Sequence, residues 1–155
     1  MRNHPERTAY ETNPVESRAG AIRAFVEAYD VLQYALDEFD DEKLFADALR
    51  VAMYRPVLPE SGGRAPISLY ELGVVYFPGE IGKYDVNTRK LEDALLHRED
   101  DIYALLVQDS GILPNICETL SQFLYEENQP IFHEFINAAM ARFLNECRRL
   151  TAMWA

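Results

Sequence analysis

The sequence predicts an all-α fold: a single-domain bundle of five to seven helices with one long loop near residues 55–66. Three observations carry that expectation. Apolar residues recur at spacings of three and four over most of the chain. Prolines stand where helices would start, at Pro14, Pro114 and Pro130. A chain of 155 residues that is 48% apolar and 12% aromatic also has the material for one packed core, and lies outside the composition of disordered segments.

The first helix has the clearest start. Asn13 offers a capping side chain, Pro14 occupies the first helical position and Glu16 the third. From there Ile22, Phe25, Tyr29, Leu32, Leu36 and Phe39 form a heptad-like seam along a helix of about 25 residues. Such a seam faces either the chain's own core or a second chain. The start AYETNPVES, followed by an amphipathic helix, resembles the opening of bacterial flagellin-export chaperones and flagellin regulators, which are small helical proteins. That resemblance covers under a fifth of the chain and implies a chaperone-like role.

A second helix is expected from Asp40 or Asp41 through Leu44, Phe45, Ala48, Leu49 and Ala52 to Tyr54. Pro56 stops it, because the residue before a proline resists helical geometry. The stretch PVLPESGGRAP then reads as the long loop, with Val57 and Leu58 expected under cover. Residues 67–77, ISLYELGVVYF, combine helical spacing with the strand propensity of Val74-Val75-Tyr76-Phe77, and Gly73 weakens either reading. Helix is the expectation, apolar nearly all round, with PGEIGKYD as a turn after it.

Thr88 to about Asp109 reads as helical, with Leu91, Leu95, Ile102, Leu105 and Leu106 inward and Gly111 as its cap. A break near Arg98 is expected where HREDD interrupts the stripe. The helix opened by Pro114 carries Ile116, Leu120, Phe123 and Leu124. Pro130 opens the last, with Phe132, Phe135, Ala139, Phe143, Cys147, Leu150 and Trp154 on one side. The preceding helix is expected to fold back over it to about residue 143. Cys147, Leu150 and Trp154 would then bury against the first helix or a second subunit, and a homodimer or partner contact is the expectation. Residues 1–12 are read as a flexible segment and 13–155 as one domain.

Net charge narrows the partners. At −11, with a pI near 4.7, the surface repels phosphate backbones and anionic lipid, so neither nucleic acid nor membrane is an expected partner. Attraction to basic proteins is. No apolar run approaches the roughly 20 residues of a membrane span, and the start MRNHPERTAYETN has no apolar signal core. A cytoplasmic location is expected. Cys117 and Cys147 are too far apart for a CxxC motif and read as core thiols.

The run DEFDDE at 37–42 invites three readings: a metal cage, a phosphate mimic or a helix joint. A calcium loop beginning at Asp37 needs glycine at its sixth position, which is Glu42. Asp40, Asp41 and Glu42 suit the positive end of a second helix, at about 0.3–1 kcal/mol each. Asp37 and Glu38 instead fall at the negative end of the first, where acids are mildly unfavourable, and so suggest a patch for a basic partner. His4, His97 and His133 show no ligand spacing: there is no Glu-x-x-His pair and no HExxH. Nucleophile elbows and phosphate loops are missing too, and Ser61-Gly62-Gly63 before Arg64 reads as a plain turn.

No catalytic residue, cofactor or metal ligand is therefore assigned, and the chain reads as a non-enzymatic, acidic protein–protein interaction protein. Adaptor, inhibitor, assembly factor and chaperone all fit, with a partner of basic or amphipathic surface. The Ile22–Phe39 stripe, the Leu69–Phe77 segment and the Phe132–Trp154 stripe together are more helical apolar surface than a chain of this size easily hides in one core, and large exposed patches mark interfaces. Candidate partner-binding residues are Asp37, Glu38 and Asp41 at the joint, Tyr70, Tyr76 and Phe77 in the central segment, and Cys147, Leu150 and Trp154 at the end of the last helix. The alternatives are an enzyme or small-ligand sensor with a site inside the bundle, or an acidic mimic of nucleic acid.

Overall fold

Helix α1 (Pro14–Phe39) is the element around which the others are arranged. The computed structural model describes residues 14–39, 43–60, 65–77, 83–124 and 134–154. Within them the remaining helices of a six-helix bundle are α2 (Lys43–Tyr54), α3 (Thr88–His97), α4 (Glu99–Leu106), α5 (Ile112–Leu124) and α6 (Glu134–Met153). A 3-10 turn (Leu69–Leu72) and an antiparallel hairpin of β1 (Val74–Phe77) and β2 (Lys83–Val86) lie between α2 and α3. The proposed cap Asn13, the acids Asp40 and Asp41, and Pro130 and Phe132 lie outside the described residues.

The α1 seam serves the chain's own core. Ile22, Phe25, Tyr29, Leu32 and Leu36 are fully or almost fully buried, and Ala21, Ala28 and Ala35 form a second buried line at seven-residue spacing. Small side chains on that line let a neighbouring element approach closely. The most extensive interface is between α1 and α6. Phe25 stacks on Phe143 with ring centroids 5.5 Å apart, and Tyr29 tilts against the same ring at 6.0 Å.

That pairing corrects the expected neighbour of the last helix. It lies along α1, while α5 packs along α2. Length gives the reason: α1 and α6 have 26 and 20 residues against 13 in α5, so their pairing buries more continuous apolar surface. Phe135, expected inward, is exposed. Ile136, about 100° further round the helix, takes the core position and begins the buried line of Ala139, Met140, Phe143, Cys147 and Leu150.

Residues 67–77 are not a helix. Ile67 forms a bridge with Val57 (2.7 and 2.8 Å), one 3-10 turn follows, and Val74–Phe77 pairs with Lys83–Val86 in the register Val74↔Val86 to Phe77↔Lys83. Gly73 is the switch. Its φ of 94° is left-handed, it ends the turn, and the β-branched Val74-Val75 then continue extended. The same bridge closes the long loop, burying Val57 but leaving Leu58 exposed, so only one of the two expected side chains finds cover. Buried Gln108 pins the loop, donating to the Leu58 carbonyl at 2.9 Å and accepting from the Glu60 amide at 3.1 Å.

The break at Arg98 is present, with Glu99, Asp100 and Asp101 filling the first turn of α4 and Arg98 Nε 2.9 Å from Asp101 Oδ2. Gly111 does not cap that helix, which ends at Leu106. It sits directly before α5, where a Cβ would come within 2.9 Å of backbone atoms of Leu106 and Gln108. Pro114 falls inside the first turn of α5, where its missing N–H costs no helical bond.

Candidate functional site

The surplus apolar surface lies on α2. Its sequence, KLFADALRVAMY, sets Lys43, Asp47 and Arg50 along one polar line and apolar residues over most of the rest of its circumference. One face carries Phe45, Ala46, Leu49, Ala52 and Met53 into the core. The opposite face presents Leu44 at 68% exposure, Val51 at 56% and Tyr54 at 56%, with Ala48 half-buried between them. The apolar side chains of this outer line face solvent beside the polar line rather than the core.

Gln33 sets which side that is. Its buried amide donates from Nε2 to the Ala46 carbonyl at 3.0 Å and accepts from Arg50 at 3.2 Å, and Arg50 also holds Asp47 at 2.8 Å. These bonds clamp α2 against α1 and fix its rotation. Leu44 and Val51, seven residues apart, are consequently aligned on the outer surface.

Beside that face, α2 and α5 form an open cleft of about 300 Å³. Ala48, Val51, Ala52 and Arg55 line it from α2, and Asn115, Glu118, Thr119 and Gln122 from α5. Both sets have helical spacing, so each wall is one continuous helix face. The alanines keep the floor low. Thr119 Oγ1 donates to the Asn115 carbonyl at 2.9 Å and Asn115 Nδ2 to the Ser110 carbonyl at 3.0 Å, so these wall side chains are already hydrogen-bonded.

A second cleft, about 530 Å³, is bounded by Arg23, Glu27, Asp30, Asp85 and Arg142 around Val26, Val31 and Val86. Its charges oppose one another, with Arg142 and Glu27 4.0 Å apart. No group of three or more His, Cys, Asp or Glu suited to a metal ion occurs among the described residues, and no helix among them is long and apolar enough to cross a membrane.

The residues singled out from sequence do not gather into one place. Asp37 and Glu38 are exposed in the last turn of α1, and Asp37 is one turn beyond Gln33 on the face toward α2. Asp41 lies outside the described residues. Tyr70 is exposed, with the Lys90 ammonium 5.1 Å from its ring centroid. Tyr76 and Phe77 belong to β1, but their side chains fall outside the described residues. Cys147 and Leu150 are buried in the chain's own core, and Trp154 is half-buried against it. Burial pushes the Cys147 thiol up to about 12, the Cys117 and Glu146 side chains adding to the effect, so it is no thiolate near neutral pH. Cys117, also expected in the core, is exposed on α5.

Leu44, Val51 and Arg55 were not among the candidates, nor were the α5 wall residues. The signal was present as spacing, since 44, 48, 51 and 55 follow one helical line while 45, 49 and 52 follow another. Which line the core takes is decided by Gln33 and Arg50, and no spacing rule reveals that. No protein-family model, curated protein or solved structure matches the chain.

Proposed function

We propose that the chain is a protein-binding module, an adaptor, inhibitor, assembly factor or chaperone, whose partner brings a basic or amphipathic surface. The outward face of α2 is the observation that carries this reading. Leu44, Val51 and Tyr54 stand on one short helix, a larger set than the exposed pair Val31 and Tyr34 on α1, while Leu58, Tyr70, Leu96, Tyr103 and Phe135 are exposed singly on other segments. Scattered apolar side chains are ordinary on protein surfaces, while contiguous ones mark interfaces. The net charge of −11 favours a basic partner and speeds its encounter by electrostatic steering.

Affinity capture from a lysate of the source cells, followed by reconstitution and light scattering, tests it. The expected result is one partner that reforms a complex of fixed stoichiometry with the purified chain. Captured DNA-binding proteins released by salt would instead favour the nucleic-acid mimic. A small molecule retained through purification and seen by native mass spectrometry would favour a sensor.

A further inference from the structure

We infer that the cleft bounded by α1, β2, the start of α3 and α6 binds a small zwitterion of the α-amino-acid type with an aliphatic side chain. This goes beyond the protein-binding reading, and no residue of α2 lines this cleft. From α1 it takes Arg23, Val26, Glu27 and Val31, which share one face at helical spacing. Asp85 and Val86 line it from the end of β2, and Arg142 from α6. Its volume of about 530 Å³ falls within the about 300–1,000 Å³ usual for small-molecule sites.

The lining itself selects the ligand. Arg142 has Glu27 4.0 Å away. Arg23 and Asp85 are not matched in that way. They line the same cleft from different elements, yet no ion pair joins them among the described residues, and Asp85 accepts from the amide of its neighbour Val86 at 3.0 Å. A guanidinium and a carboxylate held apart in one cleft complement a molecule that carries both charges, its carboxylate toward Arg23 and its ammonium toward Asp85. Val26, Val31 and Val86 supply the contact for an aliphatic side chain. A simple anion would meet the carboxylates of Glu27, Asp30 and Asp85 and a chain charge of −11. A simple cation would meet two guanidiniums and leave Arg23 unmatched. A ligand of zero net charge avoids both penalties.

Isothermal titration calorimetry of the full chain with L-leucine, N-acetyl-leucine, leucinamide and glycine tests this. Leucine should bind saturably, with a dissociation constant of about 1 mM or tighter. N-acetyl-leucine lacks the ammonium, leucinamide the carboxylate and glycine the side chain, so each should bind about tenfold more weakly or worse. Arg23→Gln should weaken leucine about tenfold and leave leucinamide unaffected. Asp85→Asn should weaken leucine similarly and leave N-acetyl-leucine unaffected. Both side chains are exposed, so the helical spectrum should not change in either variant. The assignment is overturned by leucine giving no saturable heat, by either blocked form binding as tightly as leucine, or by both variants retaining native affinity. Equal binding of glycine overturns its aliphatic part. None of these outcomes touches the outward face of α2, so this assignment and the protein-binding reading fail separately.

Discussion

The guanidinium of Arg18 lies over the indole of Trp154, 4.6 Å from the ring centroid, and so joins the start of α1 to the end of α6. The same side chain pairs with Glu99 at the start of α4 and donates to the Met153 carbonyl at 3.3 Å. One arginine thus ties three element ends together. Chain ends fray unless something holds them.

Arg18→Ala should therefore release the last turn of α6. Trp154 is the sole tryptophan, so its fluorescence reports the change directly. The expected outcome is a red-shifted emission with a stability loss of about 1–2 kcal/mol, combining a cation–π contact with a partly exposed ion pair. Unchanged emission would show that the indole is held without the arginine.

Leu150 tests where the C-terminal stripe is buried. It is fully enclosed within the single chain, so Leu150→Ala should cost about 2–5 kcal/mol in denaturant unfolding. The unfolding midpoint of the native chain should not move with protein concentration. A midpoint that rises with concentration would place a second subunit over that stripe.

Glu71 gives the fold a pH signature. Burial pushes its carboxyl up, but hydrogen bonds from the Ser68 hydroxyl and amide, its own amide and the charge of Arg98 together hold it below the ordinary value of 4.5. A depressed folded-state value contributes stability that is present above the unfolded value and lost as pH falls through the folded one. Glu71→Gln should thus be less stable near neutral pH, by about 1 kcal/mol on the scale of other caps. The difference between the two proteins should shrink as pH drops below 4.5. A difference that stays constant with pH would remove the charge from the explanation.

Two glycines should respond oppositely to alanine. At Gly73 the left-handed backbone and the 3.0 Å approach of Asn87 O and Lys90 Cβ predict a loss of at least about 1–2 kcal/mol. Gly20 lies within α1 with nothing inside 4 Å of a new Cβ, so Gly20→Ala should gain about 0.5–1 kcal/mol. Thermal melts of both variants check the pair, and a loss at Gly20 would point to a contact that the open space there does not show.

The long helices were legible because their signal is redundant. The α1 seam repeats over about five turns, and the HREDD interruption marks the α3–α4 break through its acids alone. Residues 67–77 were not, because a four-residue turn and a four-residue strand are each too short to establish a period. Gly73 allowed either reading, and the partner strand Lys83–Val86 has only weak apolar alternation. The candidate site was half legible. That α2 carries two apolar lines, 44-48-51 and 45-49-52, can be read from KLFADALRVAMY, but which of them is exposed depends on a buried amide contributed by α1 and on α5, which joins it from more than fifty residues away. The stripes on α1 and α6 looked like surplus because their mutual pairing could not be read from either alone.

Hydrogen–deuterium exchange on the chain with and without a saturating partner captured from the lysate tests the central claim most directly. Protection should increase in the amides of α2, Lys43–Tyr54, and stay unchanged along α6. Protection confined to the hairpin or the end of α6, with α2 unaffected, would contradict it and move the binding surface elsewhere.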